Sequence, residues 1–162
     1  MHLQFNVQVP WEATGLASFG MIVNGAPSNI QFANVNTYSP DVFMISPALG
    51  AITHVDGSLV SATSPAAANE VVVVYATGLG PVGGAMVTGN PASSTSLQPT
   101  TPQPATATLG NVPATVSFSG LTPGFTGLYQ VNLQIPANAP AGSLLTINIG
   151  GQAAPPVALP VK

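Results

Sequence analysis

The sequence predicts an all-β fold with a complete β-sandwich at 68–162, a truncated half-module of the same type at 1–40, and a partly irregular connector at 41–67. Three observations predict it. Apolar and polar residues alternate with period two over many short stretches, the pattern of half-buried strands. The 17 Gly and 17 Pro fall between those stretches, where turns are needed. A repeated segment links the two ends of the chain. No stretch combines a helical period with caps.

The first expected strand, 3–9, reads Leu-Gln-Phe-Asn-Val-Gln-Val and stops at Pro10. It offers Leu3, Phe5, Val7 and Val9 to one face. Strands at 19–23 and 30–35 follow, with Asn24-Gly25 supplying the positive φ angles of a tight hairpin. Further strands are expected at 42–45, 51–55, 71–77, 105–109, 115–118, 128–135, 144–149 and 157–161. Asp56-Gly57 and Gly150-Gly151 mark two more tight turns. The stretch 89–104, rich in Pro, Ser and Thr, reads as a long extended surface loop.

Gln4-Phe5-Asn6-Val7-Gln8-Val9-Pro10 matches Gln130-Val131-Asn132-Leu133-Gln134-Ile135-Pro136, an offset of 126 residues from Gln4 to Gln130. Gly25 and Gly151 share that offset, each after an apolar run. Both copies read as strand, Pro-led turn, strand and Gly hairpin. The second copy has strand-rich sequence ahead of it from Asn69-Glu70, and the first has almost none. Two or three strands with one apolar face do not stay folded alone, and a bare edge invites pairing. Residues 1–40 are therefore expected to pack on the second module, on missing residues or on another chain. A homo-oligomer, a dimer with edge pairing or strand exchange, is the favoured arrangement.

Composition removes whole classes of function. The chain has one Lys+Arg and four Asp+Glu, a charged fraction of 3% and a formal net charge of -3. Without cationic side chains there is nothing to neutralise phosphates, so nucleic acid is not an expected partner. The longest strongly apolar run, Val71 to Ala76, is far below the ~20 residues of a membrane-crossing helix, so no membrane insertion is expected. Met1-His2-Leu3-Gln4 has no basic n-region, so no signal peptide is read there. With no Cys there is no disulfide, thiolate metal site or thiol nucleophile. Gly78-Leu79-Gly80-Pro81-Val82-Gly83 fits G-x-G-x-x-G, but Pro81 and the absence of a following helix or acidic residue make it a glycine-rich turn.

Glu-Val-Val-Val-Val-Tyr-Ala-Thr-Gly-Leu-Gly-Pro at 70–81 resembles the first strand and loop of the IPT/TIG class of immunoglobulin-like modules. The stretch 111–136, Asn-Val-Pro-Ala-Thr-Val-Ser-Phe-Ser-Gly-Leu-Thr-Pro-Gly-Phe-Thr-Gly-Leu-Tyr-Gln-Val-Asn-Leu-Gln-Ile-Pro, is similar to the uncharacterised Solibacter-type C-terminal domain, as is the turn Asp56-Gly57-Ser58-Leu59. The resemblance implies an immunoglobulin-like β-sandwich in an extracellular or cell-surface bacterial protein, with an accessory, adhesive or assembly role and no catalytic residues to carry over. The opening strands of the first half are missing from this pattern.

Against that non-enzymatic expectation stands a small hydrolase acting on an ester or lactone. His54 and Asp56, two apart on an extended strand, would share a face as a general-base pair, with Ser46, Ser58 or Ser61 as the hydroxyl. Asp41, Asp56 and Glu70 are the carboxylates of a candidate loop-built Ca²⁺ site. Trp11, directly after Pro10, is the aromatic singled out for ligand or partner binding.

Overall fold

A computed structural model of the chain describes residues 6–84 and 86–162. Among the described residues every helix-length segment is absent and the fold is all-β. The N-terminal part holds β1 (Gly15–Phe19), β2 (Ile22–Val23), β3 (Ala26–Pro27) and β4 (Gln31–Val35). Then come β5 (Asp41–Val42), β6 (Met44–Ser46), β7 (Leu49–Gly50) and β8 (Ile52–His54). The remainder comprises β9 (Val71–Thr77), β10 (Thr106–Leu109), β11 (Val112–Leu121), β12 (Tyr129–Gln134), β13 (Leu144–Ile149), β14 (Gln152–Ala153) and β15 (Val157–Ala158).

Period-two alternation builds the core. β9 turns Val72, Val74 and Ala76 inward, β12 turns Tyr129, Val131 and Leu133 inward, and β13 does the same with Leu145, Ile147 and Ile149. These strands belong to a nine-stranded antiparallel sheet of order β14-β13-β10-β11-β12-β9-β5, with β15 added on β13 and β8 on β9. The hinge of this sheet is β11. Its first residues pair with β10 and its later ones with β12, and the register slips between Val116 and Phe118. Such a bulge bends a strand and raises its twist. The sheet curls, its inner faces share one apolar core, and the arrangement is consistent with a β-sandwich. Each fully buried Leu, Ile or Val there contributes about 1.5–3 kcal/mol.

The stretch 41–67, read from sequence as a connector, supplies edge strands to this sheet. β5 pairs with the end of β9 and β8 with its middle, and Val60 and Ala66 are buried. The loop 89–104 likewise packs down, with Ala92, Gln98 and Thr100 buried and Pro99 bridging Gly120.

The expected strand 3–9 begins outside the described residues, and its described part, 6–9, is not a strand. The physical reason lies in its counterpart. β12 is held between β9 and β11, whereas among the described residues no strand pairs with 6–9. Residues 8–12 instead run along the 88–89 loop, where Gly89 N–H donates to Gln8 Oε1 at 2.8 Å and the Thr88 hydroxyl to Glu12 Oε2 at 2.7 Å.

Two aromatic rings then fix the ends of a protruding arm. Trp11 Nε1 donates to the Tyr129 hydroxyl at 2.8 Å, and that hydroxyl donates to Gly80 O. Tyr38 lies so close to Gly80 and Gly150 that a Cβ on either would meet its ring, at 2.5 and 2.0 Å. Between these anchors β1 pairs with β4 and β2 with β3, forming a hairpin whose residues are nearly all exposed. The whole chain exposes 9302 Å². A compact monomer of its mass exposes about 7,500 Å².

Candidate functional site

Two regions outside the core gather unusual chemistry. The first lies at the rim beneath β8. After His54 the chain turns back tightly: His54 N–H donates to Ser58 O at 2.8 Å, and Gly57 N–H donates to His54 O at 3.0 Å. Asp56 is consumed by that turn, its Oδ1 accepting from Ser58 N–H at 2.9 Å and from the Ser58 hydroxyl at 2.6 Å. These bonds hold its carboxyl below the ordinary range, the Ser58 hydroxyl bond contributing most.

The carboxylate paired with His54 is therefore not the expected Asp56. His54 pairs with Glu70 through Nδ1, and because a carboxylate can only accept, Nδ1 carries the proton. The β8–β9 register explains the choice: His54 sits opposite Val72, making Glu70 its diagonal neighbour, whereas the 55–58 turn takes Asp56 out of strand alternation. On its other side, Nε2 lies 3.2 Å from both the Ser64 hydroxyl and the Ser64 carbonyl oxygen. The Glu70 hydrogen bond raises the His54 pKa, outweighing desolvation, with smaller help from the Ser64 carbonyl and the charges of Glu70 and Asp56. Burial works to raise the Glu70 carboxyl, yet the Ala67 N–H at 2.7 Å, His54 and the charge of Lys162 together bring it below its usual range.

His54, Asp56, Ser58, Ser64 and Glu70 thus line one shallow depression. Asp41 is not among them; it sits on β5, lines a separate depression with Tyr38 and Thr77, and accepts from Val42 N–H through Oδ1 at 2.8 Å. The three carboxylates of the candidate Ca²⁺ site are not brought together, and among the described residues no three His, Asp or Glu are placed to hold a metal. Trp11 is half-buried against the core with its indole N–H engaged by Tyr129.

Ser64, His54 and Glu70 stand in line as hydroxyl, base and orienting carboxylate would. The Ser64 N–H, however, is already given to Ser61 O and Oγ, both at 3.1 Å. Ser64 escaped sequence reasoning because no elbow motif marks it, and the Glu70 partnership because register is invisible in one sequence.

The second region is the arm. By alternation and register, Leu16, Ser18 and Gly20 share a face with Ile30, Phe32 and Asn34. Leu16 is 71% exposed, Phe32 68% and Ile30 61%. The opposite face carries Ala17, Phe19, Ala33 and Val35, so both faces are apolar. No charged residue occurs between 13 and 40. Native edges are normally blunted by charge, bulges or cover, and here neither β1 nor β4 has another strand beside it among the described residues.

No family model, no curated protein and no solved structure matches this chain.

Proposed function

We propose that this chain is a non-enzymatic assembly or adhesion module that works through β-sheet edges and uncharged faces, with the 15–35 arm as its contact element. The observation that carries the reading is the arm itself. A two-stranded hairpin apolar on both faces is marginal in water and gains stability by covering those faces with another chain. The excess of roughly 1,800 Å² over a compact monomer exceeds the ~800 Å² that each partner covers in a standard interface. The near absence of charge leaves apolar contact and strand addition as the means of recognition.

The resemblance to the IPT/TIG-like, Solibacter-type domain supports an immunoglobulin-like sandwich in an extracellular or cell-surface protein. A second copy of this chain, meeting the first through Leu16, Ile30 and Phe32, is the simplest assembly, a homodimer. Sedimentation velocity tests it: the wild type is expected to move as more than one chain, and Leu16→Glu with Phe32→Glu as a single chain. A wild type that stays monomeric at every concentration overturns the dimer.

A second reading, hydrolysis of an ester or lactone, draws on the Ser64–His54–Glu70 line. It expects turnover of an activated ester that disappears in both Ser64→Ala and His54→Ala. Turnover that survives either change removes it.

A further inference from the structure

The arm reproduces, pair for pair in register, a unit that is packed on the core elsewhere in the same chain. With the offset of 126, β13–β14 pairs Asn148 with Ala153 and Ile149 with Gln152, and β2–β3 pairs Ile22 with Pro27 and Val23 with Ala26. Likewise β13–β15 pairs Leu144 with Ala158 and Leu145 with Val157, and β1–β4 pairs Ser18 with Phe32 and Phe19 with Gln31. The turn residues Asn24 and Gly25 have φ of 51° and 81°, against 58° and 77° at Gly150 and Gly151. Even the kink is kept: Ser28 N–H donates to Met21 O at 2.8 Å, as Ala154 N–H does to Ile147 O at 2.8 Å.

One difference stands out. β13 runs unbroken from Leu144 to Ile149, but its counterpart splits into β1 and β2 at Gly20 and Met21. The counterparts of those two residues, Thr146 and Ile147, pair with Thr108 and Ala107 of β10. The gap in the arm falls where, among the described residues, no counterpart of β10 stands beside it. The inner face tells the same story: Leu145 and Ile147 are 0% and 1% exposed, while Phe19 and Met21 are 37% and 45%.

We infer that the free edge of 18–22 is an acceptor site for one antiparallel strand of the β10 kind, donated by another polypeptide. This deepens the assembly reading and rests on it, but uses the arm's edge and inner face rather than the outer Leu16–Phe32 face. The register is fixed by the duplication. A residue in the place of Leu109 lies opposite Phe19, one in the place of Thr108 opposite Gly20, one in the place of Ala107 opposite Met21, and one in the place of Thr106 opposite Ile22. The donor is extended, uncharged and alternates hydroxyl with apolar side chains, as Thr-Ala-Thr-Leu does. Charge is excluded because nothing between 13 and 40 can answer it. A second copy's own β10 does not serve, since β11 and β13 already hold it on both sides.

The test is to titrate the intact protein with a labelled peptide of residues 103–111, Gln-Pro-Ala-Thr-Ala-Thr-Leu-Gly-Asn. Saturable binding is expected, with a scrambled peptide at least tenfold weaker and new amide protection at 18, 20 and 22. Because Leu144 O, the counterpart of Ser18 O, faces β10 through Gly110 N–H, the alternate Gly20 N–H faces the free edge. Gly20→Pro deletes that donor and is expected to weaken binding at least tenfold with the melt of the core unchanged. Met21→Lys, charged on the inner face, is expected to do the same. Binding no tighter than the scrambled peptide, or indifferent to both substitutions, overturns the acceptor site. If the wild type still associates and Leu16→Glu with Phe32→Glu still dissolves it, the assembly reading survives that failure. A dimer dissolved by Gly20→Pro and indifferent to the peptide assigns the edge to a second copy instead.

Discussion

The two hairpin units of this chain have the same register and the same turn, and opposite fates. In β13–β15 the inner-face residues Leu145, Ile147 and Val157 are buried in the shared core, and one edge is bonded to β10. In β1–β4 the corresponding face is partly exposed, Phe19 by 37% and Met21 by 45%, and among the described residues no strand pairs with the corresponding edge. Local sequence, above all the Gly-containing turns, is enough to set hairpin geometry. It is not enough to bury anything, because burial needs elements distant in sequence. The difference between the units is a difference in neighbours.

The largest effect that would sharpen this contrast is a pair of core truncations. Leu145→Ala is expected to cost about 2–5 kcal/mol, whereas Phe19→Ala in the single chain should stay within about 0.5 kcal/mol. Urea unfolding reads both, and equal losses would break the comparison. Next come the turns. Gly150→Ala sets a Cβ against the Tyr38 ring at a φ of +58° and is expected to cost more than about 1 kcal/mol. Gly25→Ala, with nothing within 4 Å, strains only the arm and should leave the global unfolding midpoint in place.

The smallest expected effect lies in pH. His54 has its pKa raised from 6.5 on folding, so its contribution is complete below pH 6.5 and is lost as pH rises through the folded value. Glu70 has its pKa lowered from 4.5, so its contribution is complete above pH 4.5 and is lost as pH falls through the folded value. The pair stabilises most between pH 4.5 and 6.5. At this rim position the gain is under about 1 kcal/mol. Thermal melts of His54→Ala should lose the downward slope above pH 6.5. In an NMR titration Glu70→Gln should lower the His54 pKa more than Asp56→Asn does, since hydrogen bonding to Glu70 outweighs the distant charge of Asp56.

Much of this was legible in the sequence, and for a uniform reason. Val71–Thr77 and Leu144–Ile149 were bounded correctly because their apolar runs end at turn residues. The repeat at Gly25 and Gly151 foretold the shared hairpin. β11 is longer than the expected 115–118: Pro113 and the slip near Ser117 interrupt its alternation, hiding a ten-residue strand behind a short one. The strand expected over 3–9 failed in its described part because alternation states what a segment would bury, never whether a neighbour exists to bury it. The rim site was half read. Spacing along the chain points to His54 but offers a carboxylate two residues away, whereas cross-strand register supplies one from sixteen away.

Amide hydrogen exchange in dilute protein tests most directly whether the arm is a finished hairpin waiting for a neighbour. Thr146 and Asn148, bonded toward β10, should exchange only with global unfolding. Gly20 and Ile22 should exchange orders of magnitude faster and slow down when the 103–111 peptide is added. Protection at Gly20 and Ile22 equal to that of β13 in the isolated single chain would contradict the account.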